Sequence, residues 1–203
     1  MTAFRTLILA LTALTLASCG GAKPVVDGDM ALGAAEGAKV TVVEYASPTC
    51  PHCAAWQENT WPAFKAAYVD TNKVRYVFRE LPTPPNAVAA AGFLMARCAG
   101  EDKYFDVIHA IMRSQKDWQS EDDMRASLVR IAGENGMDQA AFQRCVTNPE
   151  AIAALERRVK AATDAGVTGT PTFFVNGRHV SSMGGEGVLM SDLGPAIDAE
   201  LAK

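Results

Sequence analysis

The chain has 203 residues, with 19 Lys plus Arg against 23 Asp plus Glu and a formal net charge of −4. That mild acidity, with no basic cluster, excludes the electrostatic footprint of a nucleic-acid binder. The length suits one domain with a sizeable core, and no internal repeat or low-complexity tract interrupts it.

Residues 1–18 read as an export signal and not as part of the fold. Arg5 is their only charge, and residues 7–17 form an apolar stretch broken by threonines, too short to span a membrane. Leu16-Ala17-Ser18-Cys19 resembles the bacterial lipoprotein processing box, in which the cysteine becomes the lipid-modified first residue of the mature chain. The alternative is an ordinary small-residue cleavage site beside a chance cysteine. Several acyl chains on Cys19 would anchor the protein stably, where one would hold it only marginally. The expected location is the cell envelope, the periplasm, with the protein membrane-anchored through Cys19. Loss of residues 1–18 removes one Arg and no acid, so −4 becomes −5. Residues 19–26 then form a tether, and residues 27–203 form the domain, which opens on a short strand.

With Cys19 assigned to lipid, Cys50, Cys53, Cys98 and Cys145 remain, an even number as disulfide pairing in an exported chain predicts. Of three possible connectivities, the two-residue gap selects Cys50–Cys53, which leaves Cys98–Cys145. Residues 40–45 read as a buried strand. After Cys50-Pro51-His52-Cys53 a helix runs toward Tyr68, with Pro62 as an expected kink. Residues 74–78 form the next strand, parallel to the first across a β-α-β crossover. Pro82, Pro84 and Pro85 end regular structure. From about residue 86 to 162 the pattern is helical. Val88, Ala91, Leu94 and Met95 share a face with Cys98, and Phe105, Ile108 and Met112 repeat the spacing. Ile152, Leu155, Val159 and Ala162 repeat it again after Asn148 as N-cap and Pro149 at the first helical position. Strand signals resume at residues 172–175. Asn176-Gly177 marks a two-residue hairpin returning through Arg178-His179-Val180, and a last helix is expected over residues 195–201. The class is α/β, in the order β-α-β, helical insertion, β-β-α.

A Cys-x-x-Cys at a strand-to-helix junction is the thioredoxin-like redox arrangement. Four features carry a more specific resemblance over residues 27–203. They are Cys50-Pro51-His52-Cys53, the Val42-Val43-Glu44-Tyr45 run before it, Gly166-Val167-Thr168-Gly169-Thr170-Pro171-Thr172-Phe173-Phe174, and the insertion between them. Together the sequence resembles the DsbA-like thiol:disulfide oxidoreductases, a thioredoxin-like fold interrupted by an all-helical domain.

Cys50 at the helix N-terminus is the expected nucleophile and Cys53 the resolving thiol, because unpaired N–H groups and the helix dipole there favour a thiolate. His52 can add a hydrogen bond or positive charge to that thiolate. Stabilising the reduced form makes the disulfide easy to give away, and the Pro51-His52 dipeptide matches the strongly oxidising branch of the family. The competing readings are a structural disulfide or half of a zinc site, but no second ligand pair at similar spacing is present and no metal is expected. The resemblance implies a cis bond before Pro171, which would turn the Thr170 backbone toward an extended substrate strand. An ordinary trans proline opening a strand is the alternative. Thr170 departs from the best-known oxidants of the family, which carry an apolar residue there. Glu44 is expected as a buried acid beneath the cysteines that trades a proton with Cys53, against the alternative of a solvent-facing strand end. Cys98–Cys145 reads as structural, with a second, regulatory redox pair as the rival. His109 and His179 read as packing or surface residues, and Trp56, Trp61 and Phe64 as core and active-site rim. Met183-Gly184-Gly185 reads as a loop with no assigned chemistry.

The leading expectation is an exported dithiol oxidase that donates the Cys50–Cys53 disulfide to reduced client proteins. It needs no cofactor, is monomeric, and is reoxidised by a membrane-embedded partner, in the family a quinone-linked one. The alternatives are a reductase or isomerase that prepares client thiols, and a lipoprotein that holds a soft metal such as Cu(I).

Overall fold

The computed structural model describes residues 28–182 and 187–203; the signal, Cys19, the tether and Met183-Gly184-Gly185 lie outside them. Strand β1 (Met30–Gly33) is followed by β2 (Thr41–Ala46), α1 (Pro51–Asn59), the single turn α2 (Trp61–Phe64) and β3 (Arg75–Glu80). Helices α3 (Asn86–Cys98), α4 (Tyr104–Ser114), α5 (Glu121–Glu134), α6 (Gln139–Val146) and α7 (Pro149–Asp164) come next. Strands β4 (Thr172–Val175) and β5 (Arg178–Val180) and helix α8 (Met190–Leu201) complete the chain. The sheet order is β1-β3-β2-β4-β5, with β2 and β3 parallel and every other pair antiparallel. This is the α/β thioredoxin-like sheet, with five helices inserted between β3 and β4.

Side chains alternate across the strands. Val42 and Ala46 of β2, Tyr76 and Phe78 of β3 and Phe173 of β4 face the main core beneath α1. Val43, Tyr45, Val77 and Phe174 face the other side, against Ala162 and Val159 of α7. Trp56, Trp61 and Phe64 are all buried and stack on one another and on Phe173 and Tyr76. They are core residues, not rim. At the hairpin, Asn176 and Gly177 have φ of 47° and 79°, the left-handed pair that a two-residue turn requires.

Three expectations change in detail. The helix after Cys50 does not run kinked through Pro62. It ends at Asn59, α2 begins at Trp61 with Pro62 in its first turn, and a π-helical stretch, Lys65–Val69, follows. Pro62 lacks an N–H and crowds the carbonyl four residues back, so a break ahead of it places it where no hydrogen bond is lost. The last helix starts at Met190 rather than 195, because the Asp192 carboxylate accepts the Leu189 N–H at 2.8 Å and fixes a start five residues earlier. Pro195 is therefore inside the helix. Cys98 closes α3 and is exposed, whereas Cys145 is buried, so only one of the two lies on a buried helical face.

Insertion and sheet meet at Glu80, buried at the end of β3. It accepts from Arg97 of α3 and Arg158 of α7, each at 2.6 Å, and from the Tyr104 hydroxyl of α4 at 3.1 Å. One carboxylate thus ties the sheet to three helices of the insertion. Asn148 caps α7 by accepting the Ala151 N–H at 2.9 Å.

Candidate active site

Strand β2 runs out of the core into residues 47–49, and Cys50 is the N-cap of α1, with extended φ and ψ of −82° and 120° and Pro51 behind it. Both cysteines are buried thiols. The Cys50 sulfur accepts the Cys53 N–H at 3.4 Å, as an N-cap side chain does. As a thiol it donates to the Thr170 carbonyl at 3.3 Å. The preceding loop is pinned to residues 81–85: Thr49 donates to the Thr83 carbonyl at 2.8 Å, and Ser47 Oγ accepts the Thr83 N–H at 3.1 Å.

The two thiols are made unequal. A hydrogen bond from the Cys53 thiol lowers the Cys50 pKa most. Burial opposes it, and Thr170 together with the Cys53 and His52 N–H groups adds to the lowering, so Cys50 falls from 9.0 to about 5. Burial pushes Cys53 well above 9.0, and the Cys50 and Glu44 charges raise it further. One sulfur is therefore a thiolate at neutral pH while its neighbour keeps its proton. His52 is exposed, and its backbone N–H is among the donors that lower the Cys50 pKa.

Glu44 is 2 % exposed on the core face of β2, not a solvent-facing strand end. Burial raises its pKa from 4.5 to about 8, against a hydrogen bond from the Tyr76 hydroxyl. It is thus a largely protonated acid at neutral pH, electrostatically coupled to both cysteines.

The Thr170–Pro171 bond is cis, with Pro171 directly before β4, and the Thr170 backbone lies against Cys50. The Thr170 hydroxyl is buried and has no hydrogen-bond partner among the described residues while Cys50 is a thiol. A thiolate at Cys50 would give it one, consistent with its lowering of the Cys50 pKa.

Cys98 and Cys145 form a disulfide joining α3 to α6, with Cα atoms 6.3 Å apart. His109 is buried beside Trp61, with ring centroids 5.2 Å apart, and burial pushes its pKa down to about 4. His179 is exposed near Phe174. Among the described residues no three His, Cys, Asp or Glu side chains group as a metal site. Sequence reasoning missed Tyr76, the Ser47–Thr49–Thr83 brace, a second cis bond at Pro84–Pro85, and Gln115. The amide of Gln115 reaches the Pro48 carbonyl, in the loop before Cys50, from the insertion. Only Tyr76 carried a signal, a hydroxyl in the strand beside β2, two positions from alignment with Glu44.

Residues 26–191 match the family model described as thioredoxin. A Rickettsia conorii protein named as a protein-disulfide oxidoreductase is 38% identical over 153 residues, covering 74% of this chain and 54% of that one. The chain thus spans about half the length of the curated relatives it matches. The crystal structure of Wolbachia pipientis α-DsbA1 superposes with a TM-score of 0.75 at 25% identity, covering 88% of this chain and 93% of that one. Oxidised BdbD from Bacillus subtilis superposes with a TM-score of 0.76 at 18% identity, covering 89% and 96%, which speaks to the fold alone.

Proposed function

Because this chain belongs to the thioredoxin family in its DsbA-like form, we propose that it is a protein-disulfide oxidoreductase working as an exported dithiol oxidase. The observation that carries this reading is the stabilised Cys50 thiolate beside a Cys53 that holds its proton. A dithiol stabilised in this way is a good product, so the corresponding disulfide is readily given away.

In the oxidised protein a client thiolate attacks the Cys50 sulfur. The Cys50–Cys53 bond breaks, a mixed disulfide forms, and Cys53 leaves with the electron pair. Its high pKa requires prompt protonation, and Glu44, with a pKa of about 8, is the buried acid positioned by β2 to supply the proton. A second client thiolate then attacks the client sulfur of the mixed disulfide. Cys50 departs as the thiolate that the helix N-terminus favours. The client has lost two electrons and the protein holds two thiols, which a membrane-embedded partner would reoxidise. The Thr170 backbone beside cis-Pro171 supports this course, since it offers main-chain groups to an extended client segment while the client is bound to Cys50.

A Cys53→Ala variant cannot resolve the intermediate. Expressed in its host, it should accumulate reducible mixed disulfides with client proteins. A metal carrier would accumulate none, and their absence would contradict an exchange function.

Export and lipid anchoring belong to the same proposal and rest on Arg5, the apolar residues 7–17 and Cys19. Wild type should sediment with membranes and Cys19→Ala should not. An unchanged distribution would remove the anchor from the proposal.

A further inference from the structure

Gln115 follows α4 in a short 3-10 turn, Gln115–Asp117, far from the cysteines in sequence and half-buried. Its side-chain amide nitrogen donates to the Pro48 carbonyl at 2.8 Å and to the Cys50 carbonyl at 3.2 Å. Both partners are acceptors only, so chemistry fixes the amide with its nitrogen toward them, and its two hydrogens match the two carbonyls. The Cys50 carbonyl also receives the first helical bond of α1, from the Ala54 N–H at 3.1 Å. A second contact holds the same loop. Pro48 packs against Gly92 of α3, where an added Cβ would lie 3.2 Å from both Pro48 Cγ and Ile111 Cδ1. The insertion thus grips residues 48–50 by a close-packed glycine and a two-pronged amide.

From these contacts we infer that Gln115 is a positioning residue for disulfide exchange, through which the helical insertion holds the backbone of Cys50 in the cap geometry that the thiolate requires. The inference rests on the proposed exchange activity. In the disulfide form the covalent bond to Cys53 already fixes Cys50 relative to α1. In the dithiol form that constraint is gone, and the sulfur meets the Cys53 and His52 N–H groups only while the Cys50 backbone stays at the cap. Gln115 therefore favours the reduced form over the oxidised one and raises the oxidising strength of the pair. The amide does not touch the reacting sulfur and acts through the backbone that carries it.

Two variants of the full chain separate hydrogen bonding from filling space. Gln115→Met keeps the length and volume and removes the donors, and Gln115→Ala removes both. The readouts are the equilibrium constant with glutathione and the midpoint of thiolate absorbance on pH titration. Thermal unfolding of the oxidised form serves as a check on folding. Both variants should shift the glutathione equilibrium toward the protein disulfide by about fivefold, the effect of one hydrogen bond of ordinary net strength, and both should raise the Cys50 midpoint. Gln115→Met matching wild type in both readouts would overturn the inference, whatever Gln115→Ala does. Wild type failing to exchange with glutathione at all would instead overturn the exchange activity itself, and this inference with it.

Discussion

Glu44 shows how a single side chain serves two purposes at opposing cost. Its position, six residues before Cys50 in an apolar strand, made it legible in the sequence, because a carboxyl among Val42, Val43 and Tyr45 must either be held neutral or be paired. Tyr76, which donates to it, is reached across strand register that no local pattern reveals. The folded pKa of about 8 lies above the ordinary 4.5, so the unfolded chain loses this proton at lower pH than the folded one. Stability should therefore decline as pH rises between those values, by up to about 1.4 kcal/mol per pH unit, and level off above the folded value. Glu44→Gln should abolish the decline, as urea unfolding of the oxidised protein at pH 5 and pH 8 would show. An equal stability gap between variant and wild type at both pH values would mean that Glu44 is not held neutral. In the oxidised form burial still raises the Glu44 pKa, and the Cys50 charge no longer adds to that rise. The Cys50 thiol, which contributes with the opposite sign in the reduced form, does not titrate there. Its folded pKa is depressed to about 5, so the stability it adds to the reduced form is full above the unfolded value and is lost as pH falls through about 5. Gln115 and the Ser47–Thr49–Thr83 brace left no trace in the sequence. Each is an ordinary polar residue in a loop or turn, and only tertiary contact gives it meaning.

Elements were legible where one local force dominates. The apolar runs at residues 40–45 and 172–175, the left-handed Asn176-Gly177 turn and the Asn148-Pro149 helix start each follow from near-neighbour chemistry, and they fall on β2, β4, the hairpin and α7. Boundaries governed by competition were not. Pro62 terminates the preceding helix instead of bending it, and Pro195 falls inside α8 because Asp192 starts the helix upstream of it. The separate limits of α5 and α6 also escaped a reading that saw one helical block. Within that block the Cys98–Cys145 bond spans 47 residues and joins α3 to α6, which Glu80 does not reach. Replacing both cysteines by alanine should lower the unfolding free energy by about 4 kcal/mol in the chain-entropy account. Chemical denaturation of the two proteins measures this directly. A loss below about 1 kcal/mol would show that the unfolded chain is not constrained by this crosslink.

Over the whole molecule, the sheet supplies chemistry and the insertion supplies position. Strand β2 carries Glu44 and leads into Cys50, β4 is preceded by cis-Pro171, three of the inserted helices lock onto β3 through Glu80, and Gln115 and Gly92 of the insertion hold residues 48–50. The order of these parts along the chain, more than any one motif, made the fold and the cysteine site readable. Their electrostatic balance was not readable, since it depends on burial and on backbone donors. The central claim is that this balance favours the dithiol and makes the disulfide an oxidant. The most direct test is the equilibrium redox potential of Cys50–Cys53 across glutathione buffers, read by tryptophan fluorescence, with Trp56 on the same helix α1 as Cys53. We predict a potential well above the glutathione couple, with reduction increasing the stability of the fold. A potential near thioredoxin's, about −270 mV, would contradict the oxidase account and favour a reductase that prepares client thiols.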